Sequence, residues 1–376
     1  MEVWFRQTAP YYYSDDTPMP FPVPGWMWKR QKGEQLYAAR MQFIRRMDEL
    51  GFDGIIFTEH HSGPNGGLMP SPVVLLAAAT QVTERIKLVT MGIMLSLYPH
   101  PLRMAEELAM IDNLSHGRLH PGFISATSQN LYAYNVPASE DRERYHEAYD
   151  LIVKAWTEPE PFEWHSKYYD YPCVSILPRP LQEPYPRTWT TAVSQESMQW
   201  AASKRMGFMS HGPTIESAER LAFYKRYAEQ ECGWSPGPAD LAIAREMYIV
   251  PSKSKLDETK VDELIADVFE KDHSHSFGHM AGSNSPLRAI DRERQAVRSY
   301  DYLTVVDRPF FGASTDREGR HSGQFLAGDP DMLIEQISAQ HKATGAGVLV
   351  VRNELGSVDV HQALEGLELF AREVLP

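Results

Sequence analysis

Between Leu50 and Thr127 the chain repeats one short-then-long rhythm, and that rhythm restricts its fold more than any other feature. The apolar run Gly54-Ile55-Ile56-Phe57 leads, after a glycine-rich loop, to a segment of helical period from Val73 to Thr83. Ile86 to Met94 leads to a second such segment, Pro101 to Leu114, and Gly117 to Ile124 opens the next unit. Parallel strands need a crossover of a dozen or more residues, so short β-branched runs alternating with helical ones predict a parallel α/β sheet. Ligands gather where the strands of such a sheet end. Glu59-His60-His61 falls at one of those ends.

The rest of the chain extends the pattern. Glu2 to Gln7 reads as the first strand, and residues 8–32 form a loop with Tyr11, Tyr12, Tyr13, Trp26 and Trp28 among its prolines. A loop that long and aromatic reads as a substrate lid or as a surface flap. Gly33 to Leu50 reads as an amphipathic helix, as does Asp141 to Trp156, which carries Arg142 and Arg144 in its first turns. Pro159 to Pro180 is an aromatic, proline-rich excursion expected to contain a short hairpin. Strand five is placed at Arg187 to Ser194, with Ser194 as the N-cap of a helix from Gln195 to Met206. Gly207 to His211, a helix from Ile215 to Glu231, and Leu241 to Val250 follow. Residues 251–324 break the rhythm. A helix from Lys255 to Lys271 is followed by a polar stretch, with too little apolar content for a core of its own, so the segment reads as an insertion after strand seven. After Gly328-Asp329-Pro330 come a helix to Thr344, a strand from Gly347 to Arg352 and a helix from Val358 to Val374. The count is eight βα units in one domain, 1–376.

Composition narrows the function classes. An apolar content of 43% supplies a large core, and a formal charge of −13 repels nucleic acid and anionic membranes. Cys173 and Cys232 are the only cysteines, which suits a reducing compartment and no disulfide framework. No apolar stretch reaches membrane-spanning length, and the first residues lack a basic-then-apolar leader, so a cytoplasmic protein is expected. No Gly-x-Gly-x-x-Gly follows a strand and no Walker A pattern occurs, so no nicotinamide or nucleotide domain is encoded.

Three groups of residues offer chemistry. Side chains alternate across a strand, so His60 faces away from Glu59 and His61 and can exchange a proton near neutral pH. A metal reading would join His60 and His61 to His273, His275 and His279, but Gly278 interrupts the helix that such spacing needs. The free N–H groups at the start of the helix after strand five, with Ser194 and Ser197, would hold an anion, with Arg142 or Arg144 as counter-charge. Routine capping and surface charge are the plain alternative for those four residues.

Taken together, several stretches resemble the bacterial luciferase-like flavin monooxygenases. They are Leu50-Gly51-Phe52-Asp53 with Thr58-Glu59-His60-His61, Thr90-Met91-Gly92-Ile93 with His100-Pro101-Leu102-Arg103, and Ile111-Asp112-Asn113-Leu114-Ser115 with Gly117-Arg118. The proline-rich Leu177 to Pro186 and the Gly328-Asp329-Pro330 step belong to the same pattern. The resemblance implies a (β/α)8 TIM barrel with an insertion after strand seven, usually dimeric, that uses reduced FMN and O2. It implies that His60 is catalytic and His100 a second histidine of the flavin pocket. It places Glu59, Gly92, Ile93 and Ser125 around the flavin, with a non-proline cis peptide at Gly92-Ile93. It assigns Val193, Ser194, Ser197 and Arg142 to the flavin phosphate. One departure stands out: many relatives carry a phosphate-gripping arginine where this chain has Ser125-Ala126-Thr127. A separate reductase is expected to supply the FMN, and a small apolar or aromatic compound to be the substrate. F420-dependent hydride transfer on the same fold, a non-catalytic flavin-binding role and a metal-dependent hydrolase are the alternatives.

Overall fold

The computed structural model describes residues 1–7, 9, 23–61, 68–265, 323–355 and 360–375. Most of the aromatic loop, most of the insertion, and His273, His275 and His279 lie outside the described residues. The helical units are α1 (Arg30–Glu49), α2 (Pro72–Ala79), α3 (Pro101–Leu114), α4 (Ser128–Ala133), α5 (Asp141–Thr157), α6 (Gln195–Ser203), α7 (Thr214–Glu231), α8 (Pro330–Thr344) and α9 (Val360–Glu373). A further helical stretch covers 258–265. The strands are β1 (Glu2–Gln7), β2 (Gly54–Phe57), β3 (Lys87–Thr90), β4 (Ile93–Met94), β5 (Leu119–His120), β6 (Phe123–Ile124), β7 (Phe162–His165), β8 (Asp170–Val174), β9 (Trp189–Thr191), β10 (Gly207–Ser210), β11 (Leu241–Ile249), β12 (Phe325–Gly328) and β13 (Val348–Arg352).

Eight parallel strands run β5-β3-β2-β1-β13-β11-β10-β9. The ring is nearly closed by a parallel bridge between Gly122 and Trp189, whose N–H donates to the Pro121 carbonyl at 2.9 Å. This is the expected eight-strand barrel. β12 adds one strand more than the rhythm suggested, pairing with the distal half of β11 from Glu246 to Ile249. Phe325-Leu326-Ala327-Gly328 is too short to stand out as periodic. The hairpin expected between Pro159 and Pro180 is the antiparallel pair β7–β8.

Burial explains why these segments take these shapes. Along each strand one set of alternate side chains faces the helices and the other fills the barrel. Phe5, Ile55, Leu88, Phe208, Ile243, Leu349 and Val351 belong to the outer set and pack with helix residues such as Phe43, Ile44 and Met47 of α1. Trp4, Ile56, Val89, Trp189, Met209, Ala242, Ala244, Val348 and Val350 form the inner cluster, the barrel floor. Trp4 and Trp189 meet edge-to-face with centroids 4.8 Å apart. A Cβ on Gly54 would lie 2.7 Å from the Trp4 ring, and one on Gly207 2.5 Å from Trp189, so only glycine leaves room for both indoles. α3 starts with Pro101 at its first position and stops where His116 and Gly117 turn left-handed.

The non-proline cis peptide lies at Met91–Gly92, one bond before the expected Gly92–Ile93. The Met91 N–H still bonds the Phe57 carbonyl of β2, while the Ile93 N–H bonds the Gly122 carbonyl. One ladder ends at Met91 and the next begins at Ile93, so the chain changes partners between them.

Candidate active site

The inward set of side chains changes character two residues beyond the floor. Above Trp4, Ile56, Trp189, Met209, Ala244 and Val350 come Arg6, Thr58, Thr191, His211, Glu246 and Arg352. Glu246 accepts from Arg6 Nη2 and from Arg352 Nε, each at 2.6 Å. Burial, helped by the charges of Arg220, Arg6 and Arg245, drives the His211 pKa down to about 3, so this imidazole is neutral at pH 7. The Thr58 and Thr191 hydroxyls are buried and have no hydrogen-bond partner among the described residues. A buried polar atom without a partner is costly; these two stand at the mouth, and Trp189 Nε1 and His120 Nδ1 are likewise unpartnered lower in the barrel.

On one flank of this mouth the motif after β2 closes on itself. Glu59 is 2% exposed, and its carboxylate accepts three hydrogen bonds. Oε1 takes His61 Nε2 at 2.8 Å and the Tyr98 hydroxyl at 3.0 Å, and Oε2 takes the Met94 N–H at 2.8 Å. His61 Nδ1 lies 2.9 Å from the Tyr134 hydroxyl. His60, between Glu59 and His61 in sequence and three residues beyond the end of β2, is half-buried, with its N–H bonded to the Met69 carbonyl at 3.1 Å. Gly92 and Ile93 are buried beside Ile124 and Gly122, under the same flank. Glu59 therefore faces other protein groups rather than an open cavity.

The opposite flank is open. Ser194 caps α6, its Oγ accepting the Ser197 N–H and donating to Ser197 Oγ at 2.9 Å. Val193 and Ser194 are exposed. Arg142, at the start of α5, reaches this first turn and pairs with Glu196. Arg144 is committed elsewhere, pairing with Glu140 and lying over the Tyr168 ring, which separates the two arginines that the sequence left as equals. Ser125 is exposed and its hydroxyl bonds Asp141. Asp141 also takes the Ser96 hydroxyl and the Ala126 N–H; burial still leaves its pKa raised. His100 stands apart from these groups. It is the exposed N-cap residue of α3, with Nδ1 3.5 Å from the Tyr171 hydroxyl on the β7–β8 hairpin.

Comparison with known proteins decides the family. The family described as luciferase-like monooxygenase matches residues 23–347. The chain belongs to the luciferase-like monooxygenase family. The alkanal monooxygenase β chain of Photorhabdus laumondii is 28% identical over 207 residues, 52% of this chain and 61% of that one. Limonene 1,2-monooxygenase of Rhodococcus erythropolis is 26% identical over 369 residues, 93% of this chain and 84% of that one. The chain spans only about half to three-fifths of the first curated relatives it matches. The fold is shared with the oxygenating constituent of 3,6-diketocamphane monooxygenase from Pseudomonas putida, solved with FMN. That likeness has a TM-score of 0.71 and 21% identity, covering 100% of this chain and 98% of that one. The same fold, at a TM-score of 0.65 and 17% identity over 100% and 98% of the two chains, appears in an F420-dependent tetrahydromethanopterin reductase of Methanopyrus kandleri.

Within this luciferase-like barrel, sequence reasoning missed Arg6, Glu246 and Arg352. A signal existed: each is a charged residue within a largely apolar strand, two residues beyond an inner-cluster residue (Trp4, Ala244 and Val350). Among the described residues, no three or more His, Cys, Asp or Glu side chains are grouped to hold a metal. Nor is any helix there long and apolar enough to cross a membrane.

Proposed function

We propose that this chain is the oxygenase of a two-component flavin monooxygenase. It would take reduced FMN from a separate reductase and use O2 to oxygenate a small organic substrate, apolar or aromatic. The observation that carries the reading is the polar mouth over a sealed apolar floor, with unpartnered Thr58 and Thr191 hydroxyls facing it. These groups suit an amphipathic heteroaromatic ring. The α6 N-terminus, with Ser194, Ser197 and Arg142, suits its phosphate. Glu196, now paired with Arg142, is exposed and free to turn into water when a phosphate arrives.

When bound, reduced FMN would supply the electrons that activate O2. The chain's own residues supply the surroundings. The floor of Trp4, Ile56, Val89 and Trp189 excludes water from below. Thr58 and Thr191 orient the ring by hydrogen bonding. His60, two residues beyond Thr58, would hold the proton that the chemistry needs. The Arg6–Glu246–Arg352 group fixes the charge of the mouth. The absence of an arginine at Ser125 leaves Arg142 to grip the phosphate, and a light grip suits a cofactor delivered by another protein. Hydride transfer from reduced F420 is the second reading, since that chemistry occurs on the same fold.

The test is to mix the anaerobic complex with reduced FMN into oxygenated buffer and follow flavin absorbance. The native chain should reoxidise bound flavin more slowly than free flavin reoxidises. His60→Ala should lose that protection and fall in coupled turnover by roughly 10²- to 10⁴-fold, while binding FMN as before. Equal, immediate reoxidation with the native chain would overturn the oxygenase reading.

A further inference from the structure

The sequence resemblance offers Glu59 as a flavin contact, but its surroundings give it different work. All its hydrogen-bond donors come from protein: His61, Tyr98 and the Met94 N–H. A carboxylate only accepts, so His61 Nε2 must carry the hydrogen in that contact. In a neutral imidazole Nδ1 is then an acceptor, and the Tyr134 hydroxyl donates to it. Tyr134 is 47% exposed while Glu59 is 2% exposed, so the chain of contacts runs from solvent to a buried anion. It also ties the segment after β2, through Met94, to the segment after β3.

We propose that Glu59, His61 and Tyr134 are positioning residues, a hydrogen-bonded chain that holds His61 as its Nε2–H tautomer and thereby fixes the backbone on both sides of His60. Its importance for turnover rests on the flavin reading above; its geometry does not. Glu59 and His61 flank His60 in sequence and are locked together. Replacing the Glu59 carboxylate by a carboxamide sets an NH2 group against at least one of the three donors, so one of them loses its acceptor. Tyr98 and Tyr134 both stay protonated, because burial raises both phenols, and so both remain donors at neutral pH.

The experiment uses the full chain labelled with 15N-histidine and observed without flavin, with His61→Gln to assign the signals. The native chain should show His61 with a protonated Nε2 and a bare Nδ1. Tyr134→Phe, altered at the surface where folding is spared, should shift the Nδ1 resonance and leave Nε2 protonated. Glu59→Gln should give a mixture of His61 tautomers while changing the dissociation constant for reduced FMN by less than about threefold, well under what loss of one charge-assisted contact costs. A native His61 protonated at Nδ1 would overturn the proposal, as would a Tyr134→Phe spectrum with no Nδ1 shift. A tenfold or greater loss of FMN binding in Glu59→Gln would make Glu59 a ligand instead. Since the tautomer is read without cofactor, failure here is distinguishable from failure of the flavin reading.

Discussion

The floor and the mouth of this barrel are built by the same strands, two residues apart, and they answer opposite demands. In the floor, Trp4, Ile56, Trp189, Met209, Ala244 and Val350 interlock, and the two indoles need Gly54 and Gly207 to fit. One register step up, the same faces carry Arg6, Thr58, Thr191, His211, Glu246 and Arg352. The floor is closed by packing, with Trp189 Nε1 and His120 Nδ1 buried in it without hydrogen-bond partners among the described residues. The mouth carries charged and polar side chains and leaves the Thr58 and Thr191 hydroxyls without partners, a cost that a ligand there would offset. Stability and function therefore separate by height along the barrel axis rather than by domain.

That separation can be broken from below. Trp189→Ala empties part of the floor and should cost about 3–5 kcal/mol of stability, read as a lower urea midpoint. Acid should weaken both levels. Burial drives the pKa of His211 to about 3 and that of His120, beside Trp4 in the floor, to about 4. The unfolded chain, with ordinary histidines near 6.5, binds more protons than the folded one below that pH. Stability should therefore be full above about pH 6.5 and fall as the pH drops toward 3 to 4. Urea midpoints at pH 7, 6 and 5 check this, and His211→Gln should flatten part of the slope. The smallest effect sharpens the comparison most. Thr191→Val removes an unpartnered buried hydroxyl, so stability should hold or rise by about 1 kcal/mol. Affinity for reduced FMN should drop by roughly two- to tenfold, the value of one neutral hydrogen bond. A clear loss of stability with unchanged affinity would make Thr191 a packing residue.

The fold was legible because each parallel strand is buried on both faces and each crossover helix keeps its own period. β1 and α3 fall within their expected residues, and even Ser194 as an N-cap follows from residue type. β12 escaped because four residues carry no period, and the cis peptide was misplaced because hydrogen-bond partners across the sheet are not written locally. The site was legible only in part. Glu59, His60 and His61 stand out in the sequence by their place at a strand end, yet the contacts that tie Glu59 to other protein groups come from Met94 and Tyr98, 35 and 39 residues away. Arg6 and Glu246 are 240 residues apart, and only the closed ring brings them together. His100 stands exposed at the N-cap position of α3 beside Tyr171, a placement that no local pattern announces.

One measurement bears most directly on the claim that the mouth is a reduced-flavin site. It is an anaerobic titration of the full chain with reduced FMN and, separately, with reduced F420. Saturable binding of reduced FMN, weakened in Arg142→Ala and stronger than any binding of F420, is the result this account predicts. Binding of reduced F420 with none of FMN would contradict it and assign the barrel to hydride transfer.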